Sequence, residues 1–164
     1  MIIRIATPDD AATLAAISLK TFVDTFATHN TAADMDSYTS VAFGESQQRR
    51  ELETDGVITL LGEENGDAIA YAQLRHTPGA PHGDVEIVRF YVDEPHHGRG
   101  LAQTLMNAVY EQARKLGTRI WLGVWEHNLR AIAFYRKCGF VQCGSHPFIL
   151  GTDLQTDWEM NRTL

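Results

Sequence analysis

The stretch RFYVDEPHHGRGLAQTLM, residues 89–106, carries an apolar run into two histidines, then an arginine between two glycines, then a run with helical spacing. Read back to Val85, the apolar run is a strand, VEIVRFYVD. Leu101, Leu105, Ala108, Val109 and Leu116 fall mostly at helical spacing and predict a helix ending at Gly117. A strand entering a helix through glycines leaves the first N–H groups of that helix unpaired beside the positive end of its dipole. Anions bind there. Gly98 and Gly100 allow close approach of the backbone, and Arg99 adds a cation. A tight turn without a ligand uses the same residues, so the anion is not fixed by this turn alone. GRGLAQ lacks the Lys-Ser/Thr pair of a nucleotide-triphosphate loop and the third spaced glycine of a dinucleotide fold.

Working outward, RIWLGVW is the next strand, and strand, helix, strand in this order predicts a parallel pair with a right-handed crossover. A helix from about Asn128 to Lys137 follows, then Gly139, and FVQCGSHPFILGTDLQTDWEMNRTL supplies two final antiparallel strands. Toward the N-terminus, IIRIA reads as a short strand. Thr7 then caps a helix that starts at Pro8, with Asp9 and Asp10 in its first turn and Leu14, Ile17, Phe22 and Phe26 among its apolar residues. HNTAADMDSYTSVAF suggests a turn and a second helix, and a third begins near Ser46. VITLLGEENGDAIAYAQLR is two apolar runs joined through Asn65-Gly66, a hairpin turn whose two central residues need positive φ. No repeat or linker interrupts residues 1–164, so one domain is expected.

With 44% apolar and 21% charged residues the chain has the composition of a soluble protein, and no apolar run nears the ~20 residues that span a bilayer. MIIRIATPDD is not a secretory signal, so a cytoplasmic protein away from membranes is expected. Cys138 and Cys143 fit neither a disulfide framework nor paired CxxC units and read as reduced thiols. The net charge of −7 and the lack of a long basic run argue against nucleic acid and suit a small cationic partner. His96 and His97 diverge, and no HExxH spacing occurs, so no metal is assigned.

YVDEPHHGRGLAQTLM resembles the acyl-CoA pyrophosphate loop of the GNAT N-acetyltransferase superfamily, written Q/R-x-x-G-x-G/A. Gly100 and Ala102 match; His97 stands where the family usually has Gln or Arg. NLRAIAFYRKCGF resembles the second family block, an Asn leading into a helix with A-x-x-F-Y and then G-F. TFVDTF, IWLGVWEHN and GTDLQTDWEM are similar to PaiA-type polyamine N-acetyltransferases. The resemblance implies an α/β (α+β) GNAT fold, with a mixed central sheet of about six or seven strands flanked by helices. It implies acetyl-CoA as cosubstrate, held by His97, Gly98, Arg99, Gly100, Leu101, Ala102 and Gln103, with Phe90, Tyr91, Val92, Asn128 and Phe134 along its arm. It also implies a small amine acceptor, a polyamine such as spermidine first, and relatives of this kind are often homodimers.

Acetyl transfer from a thioester needs a neutral amine, yet an alkylamine of pKa ~10.4 is neutral about once in 2,500 molecules at pH 7, a cost of about 4.6 kcal/mol. Glu86, at the start of the central strand, resembles the glutamate that some family members use as base; a salt-bridged strand glutamate is the other reading. N–H groups near Phe90 to Val92, freed by a splay or bulge, would stabilise the oxyanion. Tyr135 resembles the tyrosine that returns a proton to the CoA sulfur, and is otherwise a core tyrosine. Asn128 contacts the cofactor, caps its helix, or both. Trp121 and Trp125 share one face of their strand and are read as core. Asp24 and the weaker candidate Glu94 are expected to hold the distal amines of a polycation. A non-catalytic acyl-CoA sensor would keep the glycine loop and have no use for Glu86 or Tyr135.

Overall fold

The computed structural model describes residues 1–164. Strand β1 (Ile2–Ile5) leads into a 3-10 turn, Pro8–Asp10, and helix α1 (Ala11–Phe26). The start signal at Thr7 holds: its N–H donates to Asp10 Oδ2 at 2.7 Å, and Arg4 pairs with Asp10 and Glu63. Helix α2 (Ala32–Ala42) is capped by Thr31, whose Oγ1 accepts from the Asp34 N–H, and α3 (Glu45–Leu52) follows. Strands β2 (Val57–Glu64) and β3 (Asp67–His76) form the predicted hairpin, with φ of 56° at Asn65 and 92° at Gly66. Then come β4 (Val85–Val92), α4 (Leu101–Ala113), β5 (Arg119–Trp125), α5 (Leu129–Lys137), β6 (Val141–Leu150) and β7 (Asp153–Thr163).

Helix α4 stops at Ala113, short of Gly117, because the next N–H groups tighten onto i−3 carbonyls: Lys115 to Gln112 and Leu116 to Ala113. Gly117 serves packing instead. A Cβ there would strike Asp84, whose carboxylate accepts from the Thr118 N–H at 3.2 Å and fixes the loop before β4.

The seven strands form one mixed sheet in the order β1-β2-β3-β4-β5-β7-β6, antiparallel except for the β4/β5 pair bridged by α4. The larger core lies between the sheet and helices α4 and α5, where Leu74, Ile87, Leu105, Met106, Val109, Ile120, Leu122, Ile132 and Met160 are buried. Each such aliphatic side chain contributes about 1.5–3 kcal/mol. Two smaller clusters occupy the opposite face: Leu14 and Ile17 of α1 on Leu61 and Tyr71, and Phe22, Met35, Phe43 and Leu150 beside them. These clusters leave the β4–β5–β7 region of that face uncovered by core, and a cleft lies there.

β4 and β5 pair only at Val85↔Ile120, Glu86↔Trp121 and Ile87↔Leu122, then diverge. Opposite β3, Gln73 faces Arg89 while Leu74 faces Ile87, so Val88 is an extra, bulged residue that bends β4 away from β5. Past the bulge β4 stays with β3, and the Asp93 N–H donates to the Ile69 carbonyl at 2.8 Å. Alternation along the strand then points the Tyr91 N–H at β3 and the Phe90 and Val92 N–H groups into the opening beside β5.

Candidate active site

At the start of α4, Gly98 and Gly100 both adopt φ of 77°, the left-handed region open to glycine. The His97 N–H donates to the Glu94 carbonyl and the Gln103 N–H to the Gly100 carbonyl. Between them, the N–H groups of Gly98, Arg99, Gly100, Leu101 and Ala102 have no partner in the chain. A Cβ at Gly98 or Gly100 would meet nothing within 4 Å. This run of free amides therefore lines an accessible groove of about 250 Å³, with Phe90, Tyr91, Val92, Asn128, Phe134 and Tyr135 along the same groove. Consecutive unpaired amides at a helix start fit a pyrophosphate.

The side chains of the loop are occupied otherwise. His97 Nε2 lies 2.6 Å from the Val92 carbonyl and Nδ1 lies 2.8 Å from Arg130, so the ring donates to Val92, accepts from Arg130, and ties the loop to the end of β4. Arg99 makes a two-point pair with Glu64 of the hairpin, 2.9 Å on each arm, which neutralises its charge. Gln103 Nε2 donates along its own helix to Asn107. Arg130 is thus the cation beside the loop that no carboxylate pairs; its position in the first turn of α5 carries no sequence signal of its own.

Asn128 caps α5, its Oδ1 accepting from the Ala131 N–H at 3.1 Å. Two turns on, Tyr135 is buried, its hydroxyl has no partner in the chain, and burial holds it well above the ordinary tyrosine value. It stays protonated at neutral pH. Phe90 packs against both Phe134 and Tyr135, at ring distances of 5.6 Å and 6.2 Å.

Through the splay this groove opens onto the cleft on the other face, since Phe90, Tyr91, Asn128, Ala131 and Tyr135 line both. The cleft, about 350 Å³, has aromatic walls that include Phe22, Phe26 and Tyr38. Trp121 and Trp125 line it too, which corrects their reading as core: the core side of β5 carries Ile120, Leu122 and Val124. Two carboxylates line it. Burial pushes Glu86 upward, and the partly exposed Arg75 at 3.3 Å and then His146 offset this only in part. Burial raises Asp157 likewise, and its Oδ1 is buried without a partner.

Residues 21–140 match the Acetyltransferase (GNAT) family. The chain belongs to that family. As a GNAT enzyme it is an acetyl-CoA-dependent N-acetyltransferase, and its seven-strand mixed sheet with five helices is the GNAT fold. An uncharacterized N-acetyltransferase of Lactobacillus delbrueckii subsp. lactis is 33% identical over 91% of this chain and 89% of its own. The spermine/spermidine N(1)-acetyltransferase of Bacillus subtilis is 31% identical over 51% of this chain and 59% of its own. Among solved structures, the PaiA N-acetyltransferase of Thermoplasma acidophilum in complex with coenzyme A superposes with a TM-score of 0.78 at 17% identity, covering all of both chains.

In this GNAT enzyme Asp24 and Glu94 line a third cavity, with His29, His97 and Arg130, that adjoins the aromatic cleft at Trp125 and Asn128. Asp24 is paired with Lys20 at 2.9 Å, and Lys20 also bonds Asp93. Glu94 is exposed. Asp157, Arg130 and His146 escaped sequence reasoning. Only the alternation of QTDWEM, which sets Asp157 and Glu159 on one face of β7, could have drawn attention to the first.

Proposed function

We propose that this acetyltransferase acylates a primary amine of a small polycation, spermidine or spermine first among them. The observation that carries the reading is the pair Glu86 and Asp157, desolvated carboxylates in an aromatic cleft that opens onto Tyr135. An exposed ion pair contributes at most ~1 kcal/mol, so a surface of scattered acids would not select a polycation; partly dehydrated ones beside aromatic faces do better. The Bacillus subtilis relative bears the name of a spermine/spermidine acetyltransferase and supports the same class.

Acetyl-CoA supplies the acetyl group as an activated thioester. The free amides of Gly98 to Ala102 hold its pyrophosphate, with Arg130 beside them. Phe90, Tyr91, Val92, Asn128 and Phe134 enclose the arm, and the Phe90 and Val92 N–H groups donate to the carbonyl oxygen as charge develops there. Glu86 takes the ammonium proton, and its upward shift narrows the gap between base and amine. Tyr135, protonated and unpartnered, gives its proton to the departing sulfur. Asn128 orders the first turn of α5 and so the position of Tyr135. Asp24 and Glu94 receive the distal amine, Asp24 by exchanging its pairing with Lys20.

A second reading rests on Trp121, whose Nε1 donor is buried without a partner in the cleft wall. It favours an amine that also carries a hydroxyl or carbonyl oxygen. Comparing kcat/KM for spermidine, a monoamine of equal length and an amino alcohol at low and high salt separates the readings. Spermidine is expected to lead, by a margin that shrinks with salt. A preference for the monoamine would sink the polyamine assignment, and a preference for the amino alcohol would install the second reading.

A further inference from the structure

His146 of β6 lines the aromatic cleft together with Glu86 and Asp157, and the chemistry above makes no use of it. Its register partner on β7 is Asp157. The ring reaches past that partner to the next carboxylate on the same face of β7: Nδ1 lies 3.1 Å from Oε1 of Glu159, whose Oε2 lies 3.1 Å from Nε2 of His82. A carboxylate only accepts, so both imidazoles donate to Glu159, and the neutral His146 ring keeps its lone pair on Nε2. Glu159 is thereby committed to two histidines. Asp157 is committed to nothing, since it accepts no hydrogen bond in the chain and its Oδ1 is buried.

Gly123 of β5 makes room for this arrangement. A Cβ there would meet His146 Cε1 at 3.1 Å, Asp157 Oδ2 at 3.4 Å and His146 Nε2 at 3.6 Å. The glycine has no positive φ, so the backbone does not require it; the side chains lying over it do. Asp157 and His146 thus border one small space, yet the hydrogen bond and the ion pair of the ring both go to Glu159.

We propose that His146 determines the charge preference of the cleft: while neutral it leaves Glu86 and Asp157 to a cationic acceptor, and once protonated it is their counter-ion and displaces that preference. The proposal rests on the reading of the cleft as the amine site. A proton on His146 lies close enough to Glu86 and Asp157 to offset part of the upward push that burial gives both. The other charges around the ring are already engaged. Arg75 of β3 pairs with Glu86 and Arg89 of β4 with Glu51, while His82 lies beside Cys143. Tyr38, Tyr91 and Tyr135, which also line the cleft, are held above the ordinary tyrosine value by burial and stay neutral. Imidazole is the side-chain type that changes charge between about pH 5 and 8, and His146 is the histidine lining this cleft. Falling pH should therefore turn a cleft that selects cations into one that does not.

The test compares the unmodified protein with His146→Gln, which can still donate to Glu159 and is neutral at every pH, and with His146→Lys, which stays charged. Calorimetric titrations use spermidine, a monoamine of equal length and the alcohol of that length. The monoamine-to-alcohol affinity ratio reads preference for charge without assuming a polyamine. In the unmodified protein it should fall about threefold to tenfold between about pH 8 and about pH 5. His146→Gln should hold it high across that range and His146→Lys should hold it low. A fall of the same size in His146→Gln belongs to Glu86 and Asp157 taking up protons and overturns the proposal, as does a flat ratio in the unmodified protein. The spermidine-to-monoamine ratio is read separately: no gain for spermidine at the alkaline end removes the polyamine assignment, while the amine-to-alcohol ratio still decides the role of His146. The side chain is 38% exposed on an edge strand, so folded variants are expected, and unchanged circular dichroism checks this.

Discussion

Tyr135 of α5 and Phe90 of β4 meet edge to face, ring centroids 6.2 Å apart at 69°, across the opening where β4 leaves β5. The ring packing and the hydroxyl are separable, because the hydroxyl has no partner in the chain. Tyr135→Phe should therefore keep the fold and the affinity for acetyl-CoA while kcat falls about 10²- to 10⁴-fold, roughly 3–5 kcal/mol of barrier. Steady-state kinetics beside calorimetric titration checks this. A loss below about threefold would return Tyr135 to a packing role.

Gly100 should be intolerant for two reasons that can be told apart. Its φ of 77° makes any side chain cost about 1–2 kcal/mol in stability, and its open side faces the groove. Gly100→Val should melt a few degrees lower, since 1 kcal/mol is worth about 2–4 °C in a chain of this size. It should also lose acetyl-CoA binding by calorimetry at a temperature where it is folded. Binding that survives would move the pyrophosphate elsewhere.

Glu86 and Asp157 should trade stability for function. Burial raises both in the folded state, so the stability linked to their neutral forms is full below the unfolded carboxylate values and is lost as pH rises through the folded ones. At pH 7 both are charged at a cost. Glu86→Gln and Asp157→Asn should raise the melting temperature at pH 7, and the gain should vanish on acidification below the ordinary carboxylate range. Glu86→Gln leaves Arg75 unpaired at little penalty, because that side chain is 52% exposed. Thermal melts across pH test the sign, and a variant less stable at pH 7 would contradict it.

Arg89 and Glu51 should behave oppositely. Their side chains are 14% and 20% exposed, Arg89 also bonds Gln73 Oε1 at 3.2 Å, and its guanidinium lies 5.3 Å from the Phe43 ring. Glu51→Gln strands a buried cation beside the bulge of β4 and should cost about 3 kcal/mol. Replacing both by apolar residues of similar volume should recover most of it. Chemical denaturation of the two single variants and the double variant measures the coupling.

What the sequence announced was local. Asn65-Gly66, Thr7-Pro8 and the pair Gly98 and Gly100 each act on their immediate neighbours, and the hairpin turn, the helix start and the left-handed turn before α4 stand where these residues announce them. What it concealed depends on pairing between distant strands. RIWLGVW is apolar on both faces, so alternation alone could not say that Ile120, Leu122 and Val124 face the core while Trp121 and Trp125 face the cleft. Asp157 becomes a cleft residue only when β7 sets it opposite Trp125. The bulge at Val88 exists only relative to β3. Gly117 looked like a helix terminator and turned out to be room for Asp84.

The placement of the indoles gives the protein an optical readout of its own. Of its three tryptophans, Trp121 and Trp125 line the aromatic cleft, whereas Trp158 packs against the core on the far face beneath Arg136. None lines the groove along the glycine loop. An amine bound between Trp121 and Trp125, as proposed, would change the polarity around two of three emitters, while coenzyme A bound along the glycine loop would leave them in place. Intrinsic fluorescence, with excitation at the indole band, thus distinguishes occupancy of one half-site from the other without a label, and ranks unlabelled amines by affinity before any turnover is measured.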